Sequence, residues 1–288
     1  MEIKMLDFTE QNQKFTGNND WNFEVEELPV IPMGMTEPVE GWKSLVRTDT
    51  NQVLHLHRDT YQKLSHDTVV NSTYESIKEA NISNDFNFEV RGLDNGRKLQ
   101  IDVLFNDVVT EPAKGDYVKY RVRAWNSYDG SWAYQTAADA LRLWCLNGCT
   151  TPDAISKVWM RHTAQITTDG AAQKILGGLE TFHNQKELWN EYMKTKITKT
   201  DAEKFFRNHV VSKKSKTSEE KWNQKQLENL MGQLSNEFND LGKNKWALYN
   251  CLTHWASHTQ GSKSPESVTR QREQTIAYAM NSRAWSSL

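Results

Sequence analysis

Between residues 86 and 125 the chain alternates apolar and polar positions with a period of two. Phe86, Phe88 and Val90 are interleaved with Asn87, Glu89 and Arg91, and after Asp94-Asn95-Gly96 the alternation returns through Leu99, Ile101, Val103 and Phe105. Asn-Gly supplies the positive backbone angles of a tight turn, so this stretch predicts a β-hairpin. "DYVKYRVRAWN" predicts a third strand, with Val118, Tyr120, Val122 and Ala124 on one face and Lys119, Arg121, Arg123 and Trp125 on the other. Upstream, "SLVRTDTNQVLHLHRDTYQKL" predicts a further hairpin around Asp49-Thr50-Asn51, with Val53, Leu54 and Leu56 as its inner contacts. Val69, Val70, Tyr74 and Ile77 fall at helical spacing after a cap at Ser65 or Asp67.

Beyond the third strand, Ala137, Leu141, Trp144 and Cys145 predict a helix covering the sheet, closed at Asn147-Gly148. From about residue 168 the pattern is mostly helical. Leu176, Leu179, Phe182 and Trp189 mark one segment, Phe205, Phe206 and Val210 another, and Leu227, Leu230, Leu234, Phe238 and Leu241 a third. "NKWALYNCLTHWASH" and "PESVTRQREQTIAYAM" add two more. The expected class is α+β: an antiparallel sheet, hairpin plus third strand, covered by a helix and followed by a mostly helical C-terminal half. The expected division is an acidic, extended N-terminal arm at 1–40, an α+β sheet core at 41–165, and a helical region at 166–288 packed on or beside that core. The arm follows from Pro29, Pro32 and Pro38, which punctuate "LPVIPMGMTEPVEG".

At 288 residues the chain is long enough for one large domain or two small ones without disulfide support. Three cysteines, an acidic polar start and no apolar run long enough to span a bilayer predict a reducing, intracellular setting. The net charge of -2 conceals an asymmetry. Residues 1 to 41 hold nine acids against Lys4 and Lys14, whereas positions 186 to 225 hold eleven Lys or Arg against six acids. A polyanion therefore has a place to bind on one part of the chain only.

Catalytic signatures are sparse. The sequence contains no Gly-x-Ser-x-Gly, no phosphate-cradling Gly-rich loop ending in Lys-Ser/Thr, and no dinucleotide fingerprint. A zinc set of Cys145, Cys149, His254 and His258 is conceivable, because His254 and His258 share one helical face. The expected helix end at Asn147-Gly148 argues against it by accounting for the cysteine spacing, and no metal or other cofactor is expected. His55 and His57 share a strand face and are expected at the surface. A nucleic-acid interface has more parts that agree: Lys119, Arg121 and Arg123 repeat about every 7 Å along one strand face, near the phosphate spacing of a single strand. Trp125, Tyr128, Trp132 and Tyr134 follow directly as candidates for base stacking. An exposed Lys/Arg face also discourages edge pairing between sheets, so the cations alone leave both uses open.

Four stretches resemble the phage/plasmid-like proteins of uncharacterised domain: "SLVRTDTNQVLHLHRDTYQKL", the third strand leading into "DGSWAYQTAADALRLWCLNGC", the Arg-His-Thr at 161 to 163, and "NKWALYNCLTHWASH". Such genes accompany phage replication and recombination modules. The order hairpin, third strand, helix is also similar to the core of single-strand annealing proteins of the RecT, Red beta and Erf type. These likenesses imply a phage protein, in the cytoplasm of an infected bacterial host, that anneals or protects single-stranded DNA as a homo-oligomeric ring or filament. Lys119, Arg121 and Arg123 would meet phosphates, and Trp125, Tyr128 and Trp132 would stack on bases. Arg161, His162, Lys213, Lys214 and Lys216 would be secondary contacts. A protein-interaction or virion-associated module and a metal-dependent nuclease are the alternatives.

Overall fold

The computed structural model describes residues 13–142, 147–149, 157–163, 166–211, 223–258 and 265–288. Strands β1 (Gln13–Gly17), β2 (Val25–Pro29), β3 (Trp42–Arg47) and β4 (Gln52–Arg58) precede helix α1 (His66–Ala80). Strands β5 (Phe86–Leu93), β6 (Lys98–Ala113), β7 (Asp116–Ser127), β8 (Tyr134–Arg142), β9 (Asn147–Cys149) and β10 (Lys157–Met160) follow. The helices are α2 (Ala171–Lys194), α3 (Lys199–Phe205) running into a π-helical turn at Phe206–Val210, α4 (Gln224–Leu241), α5 (Lys245–Ser257), α6 (Pro265–Met280) and α7 (Arg283–Ser286). The fold is α+β, with a main sheet in the order β1-β5-β6-β7-β8-β10, β9 also pairing with β8, and a small sheet β2-β3-β4.

The hairpin at the centre of the main sheet forms where the alternation places it. Phe86 through Leu93 pair antiparallel with Phe105 through Lys98, and buried and half-buried residues strictly alternate along β5. Asp94, Asn95 and Gly96 take φ of 55°, 54° and 80°, the left-handed run this turn requires. Gly96 is needed for space as well, since a β-carbon there would collide with the Phe23 ring and the Asp20 carbonyl. Helix α1 turns Val69, Val70, Tyr74 and Ile77 inward as expected, and Tyr74 meets Phe88 edge-on at 5.8 Å.

Three expectations are corrected. First, residues 13–29 are not a free arm. β1 runs parallel to β5, Gln13 opposite Phe86 through Gly17 opposite Val90, and β2 pairs antiparallel with β3. Both lie at the outer end of their sheet's strand order, and Pro29 only closes β2, a place where a missing N–H breaks no ladder. Second, residues 134–142 are the strand β8, not the start of a helix. Most of β8 is buried on both faces, so its apolar residues lose the period of two and mimic a helical recurrence. Asn147 and Gly148 accordingly pair with Arg142 and Leu141 in β9 rather than capping a helix. Third, Leu54 is 4% exposed, but Val53 and Leu56 are exposed at 47% and 52%. A register shift between Leu45 and Val46 moves the second buried position of β4 to His57.

The chain divides into two units. One comprises residues 1–108, 121–138 and 156–179, the other 109–120, 139–155 and 180–288, so the boundary passes through β6, β7, β8 and α2. In the second unit the Arg142 guanidinium is buried against two carboxylates, bonding Asp116 at 2.5 Å and Glu237 at 3.2 Å. The Trp246 indole donates to the other Asp116 oxygen at 2.8 Å. Around this group Trp189, Trp246 and Tyr249 pack with ring centres 5.3–5.6 Å apart. Of the nine tryptophans among the described residues, five, Trp125, Trp132, Trp189, Trp246 and Trp285, are buried.

Replacing Arg142 with Met leaves two buried carboxylates without their cation, so urea denaturation at pH 7 is expected to show a loss of about 3–5 kcal/mol. A change below 1 kcal/mol would mean that water reaches the pair.

Candidate functional site

The first unit gathers three of the resemblance-bearing stretches around one tyrosine. Tyr61 follows β4, and its hydroxyl donates to the carbonyls of Ser127 and Tyr128 at 3.1 and 3.0 Å. His55 and His57 approach its ring at 5.2 and 4.9 Å, and His162 stacks on it at 5.0 Å with planes 13° apart. The backbone completes the junction, because Gln62 N–H donates to the His162 carbonyl at 3.0 Å and the Gln62 carbonyl faces His162 Nδ1 at 3.2 Å. Arg-His-Thr is therefore fixed to the segment just before α1. The turn from β7 to β8 closes the group from below: Asp129 accepts from Ser131 N–H, and Ser127 Oγ bridges the carbonyl and N–H of Trp132.

His55 and His162 are held neutral at pH 7. Burial lowers His55, with His57 beside it adding to the effect, and burial lowers His162 against the opposing pull of the Gln62 and Trp132 carbonyls. Burial also raises the Tyr61 phenol well above its ordinary range. Next to this group, His66 is fully buried with both ring nitrogens engaged. Nε2 meets the Gly96 carbonyl at 3.0 Å and must donate, while Nδ1 receives the Asn126 amide at 3.1 Å. That tautomer is neutral, and burial pushes the ring down to about 3.

The cationic strand face is compensated from within. Arg121 and Arg91 converge on Asp102 of β6, at 3.9 and 2.7 Å, and Gln100 donates to the same carboxylate at 2.7 Å. Burial opposes the Asp102 charge, yet Arg121, Arg123 and Arg91 together hold it below the usual carboxylate range. Arg123 is 6% exposed and lies over the Trp125 ring at 4.8 Å. Lys119 is half-buried. Trp125, Tyr128 and Trp132 are buried at 5%, 1% and 6%, so none presents a ring face to a base. Their expected stacking role is corrected for a physical reason: β7 becomes an interior strand, buried on both faces from Val122 onward, and the turn that follows it is buried at Tyr128 and Trp132 as well. Lys213, Lys214 and Lys216 lie outside the described residues, as does Cys145.

The exposed aromatic of this unit is one that the cation row drew attention away from. Trp159, in β10, is 48% exposed, and the exposed Arg161 stands over its ring at 5.6 Å. Val158 between β8 and the interior is 7% exposed. The alternation Val158 in, Trp159 out is the signal that a sequence of four residues is too short to declare. β10 ends the strand order of the main sheet among the described strands, pairing Lys157 through Met160 with Ala137 through Tyr134. Among the described residues no group of three or more His, Cys, Asp or Glu is arranged to hold a metal ion, and no described helix is long and apolar enough to cross a membrane.

The fold and this junction define an α+β protein in which three sequence motifs converge on Tyr61. The chain belongs to the family described as a domain of unknown function (DUF932), whose model matches residues 53–285. It is thus a member of an uncharacterised domain family, as its four resembling stretches imply. No curated protein and no solved structure matches it.

His66 is neutral when folded and takes up a proton on unfolding. Its contribution is therefore complete above the free imidazole value of about 6.5 and is lost as pH falls from there toward about 3. The melting temperature is expected to drop across that window. A His66→Gln variant, already less stable at pH 7, is expected to show a shallower drop; equal slopes in both proteins would place the acid sensitivity elsewhere.

Proposed function

We propose that this protein binds single-stranded DNA along β10 as a homo-oligomer, protecting or annealing the strand. The observation that carries this reading is the exposed Trp159 beside the exposed Arg161 on the outer strand of the main sheet. An indole open to solvent offers a base a stacking surface, and a guanidinium next to it meets the neighbouring phosphate. His55 and His162 behind them, neutral at pH 7, contribute shape and rigidity, not charge. They hold Arg161 at a defined place by anchoring His162 to Tyr61 and Gln62. Lys119, Arg121 and Arg123 support the reading less directly, since Arg121 and Arg123 are partly balanced by Asp102 and Lys119 is half-buried. A strand that ends the sheet also suits addition of a partner protein's strand, which is the second reading.

Trp159→Ala is expected to weaken binding of a labelled single-stranded oligonucleotide by about 1–3 kcal/mol in a gel-shift or anisotropy titration, with melting unchanged. Trp125→Ala is expected instead to lower stability by about 3–5 kcal/mol, the cost of emptying an indole-sized core site. Binding of the parent protein should fall steeply with added salt as counterions are released. Absence of a shift at low salt, together with a protein partner captured through β10, would transfer the assignment to the second reading.

A further inference from the structure

The second unit contains a cavity of about 670 Å³ between three of its helices, remote in sequence from Trp159 and Arg161. Its volume falls within the roughly 300–1,000 Å³ of small-molecule sites. Helix α4 contributes Lys225 and the carboxamides of Gln226 and Asn229, with Asn223 at its N-cap. Helix α5 contributes His254, Trp255 and His258, and α6 contributes Arg272. No carboxylate stands among the described residues that line it, and the first turn of α4 holds no acidic residue. In a chain with more acids than bases, a wall of cations, imidazoles and amides without one acid is a selective feature.

The cationic side is built rather than incidental. Arg272 Nη1 donates to the carbonyls of Trp255 at 2.7 Å and His258 at 3.1 Å, while its guanidinium lies over the Trp255 ring at 4.9 Å. The last turn of α5 is thereby pinned to α6 with the guanidinium held at the cavity wall. His258 Nδ1 bonds the His254 carbonyl at 3.0 Å, which stacks the two imidazoles 3.9 Å apart. That contact uses the Nδ1 proton of His258 and leaves its Nε2 the nitrogen available to a ligand. Lys225 is exposed at the mouth, a mobile charge opposite a fixed one.

We propose that this cavity binds a nucleotide through its phosphate. Arg272 and Lys225 offer the planar and the point-charge donors that phosphate oxygens accept. His258 Nε2, an acceptor once Nδ1–H is engaged, can take a hydrogen bond from a phosphate O–H or a base amino group. The amides of Asn223, Gln226 and Asn229 carry both donors and acceptors, the complement that the edge of a base presents, and Trp255 and Leu230 supply the apolar walls for its ring. The phosphate has two possible sources, a free nucleotide or the phosphorylated end of a strand. Neither depends on Trp159 or β10.

The test is calorimetric titration of the full chain with deoxyadenosine 5′-monophosphate, deoxyadenosine and inorganic phosphate. The monophosphate is expected to bind, and the nucleoside and inorganic phosphate each at least tenfold more weakly. Lys225→Glu, an exposed change, is expected to weaken the monophosphate at least tenfold with the helical circular dichroism intact. Arg272→Gln should do the same, and because it also releases the end of α5, the Lys225 variant decides if that protein melts early. Trp159→Ala should leave the titration unchanged. A 5′-phosphorylated hexanucleotide that displaces the monophosphate assigns the site to strand ends, and one that fails to displace it assigns a free nucleotide. No binding of the monophosphate, inorganic phosphate binding as tightly, or an unaffected Lys225→Glu protein would overturn the proposal.

Discussion

Strand β7 carries a buried polar anchor at each end, and the requirement that both be satisfied organises everything packed against it. At its start Asp116, 4% exposed, receives the Arg142 guanidinium and the Trp246 indole on its two oxygens. Arg142 in turn reaches Glu237, so one charge cluster ties β7 and β8 to α4 and α5 within the second unit. At its end Asn126, fully buried, donates to the Leu64 carbonyl and to His66, tying β7 to the beginning of α1 within the first. Ions and amides removed from water cost several kcal/mol unless each finds its partner. A sequence change at either anchor is therefore felt by elements far away along the chain.

The same burial decides which residues are open to a ligand. Aromatic side chains following β7 look like a stacking surface when the strand is imagined with one face in solvent. In the folded protein Tyr128 joins Leu45 and Leu54 in a hydrophobic cluster against which Phe23, Val25 and Tyr61 pack, and Trp132 and Tyr134 are buried as well. Charge follows suit. Asp102, on the middle strand, draws in arginines from both neighbours, so a row of cations in sequence becomes a balanced group in space. Among the open features are Trp159 on the last strand with Arg161 just beyond it, and the cavity walled by α4, α5 and α6, whose described lining holds no carboxylate.

Local signals were sufficient wherever one element has one wet face. The central hairpin, the turn at Asp94-Asn95-Gly96, the inward stripe of α1 and the long C-terminal helices all follow from period and turn chemistry in the sequence itself. The sequence alone also determined the class α+β and marked Tyr128, Arg161 and His162 as candidate contacts, but their meeting around Tyr61 is a matter of tertiary structure. Tertiary structure decided the rest, because each remaining question turns on a partner distant in the chain. β8 is a strand since both its faces are covered, which removes the alternation by which strands announce themselves. β1 joins the sheet through a parallel pairing with residues more than seventy positions away, a choice no local pattern encodes. Asp102 has a role only once β5 and β7 flank it, and Trp159 is exposed only because no described strand lies beyond β10. Periodicity records how many faces of an element are dry; which neighbour dries them is settled by packing.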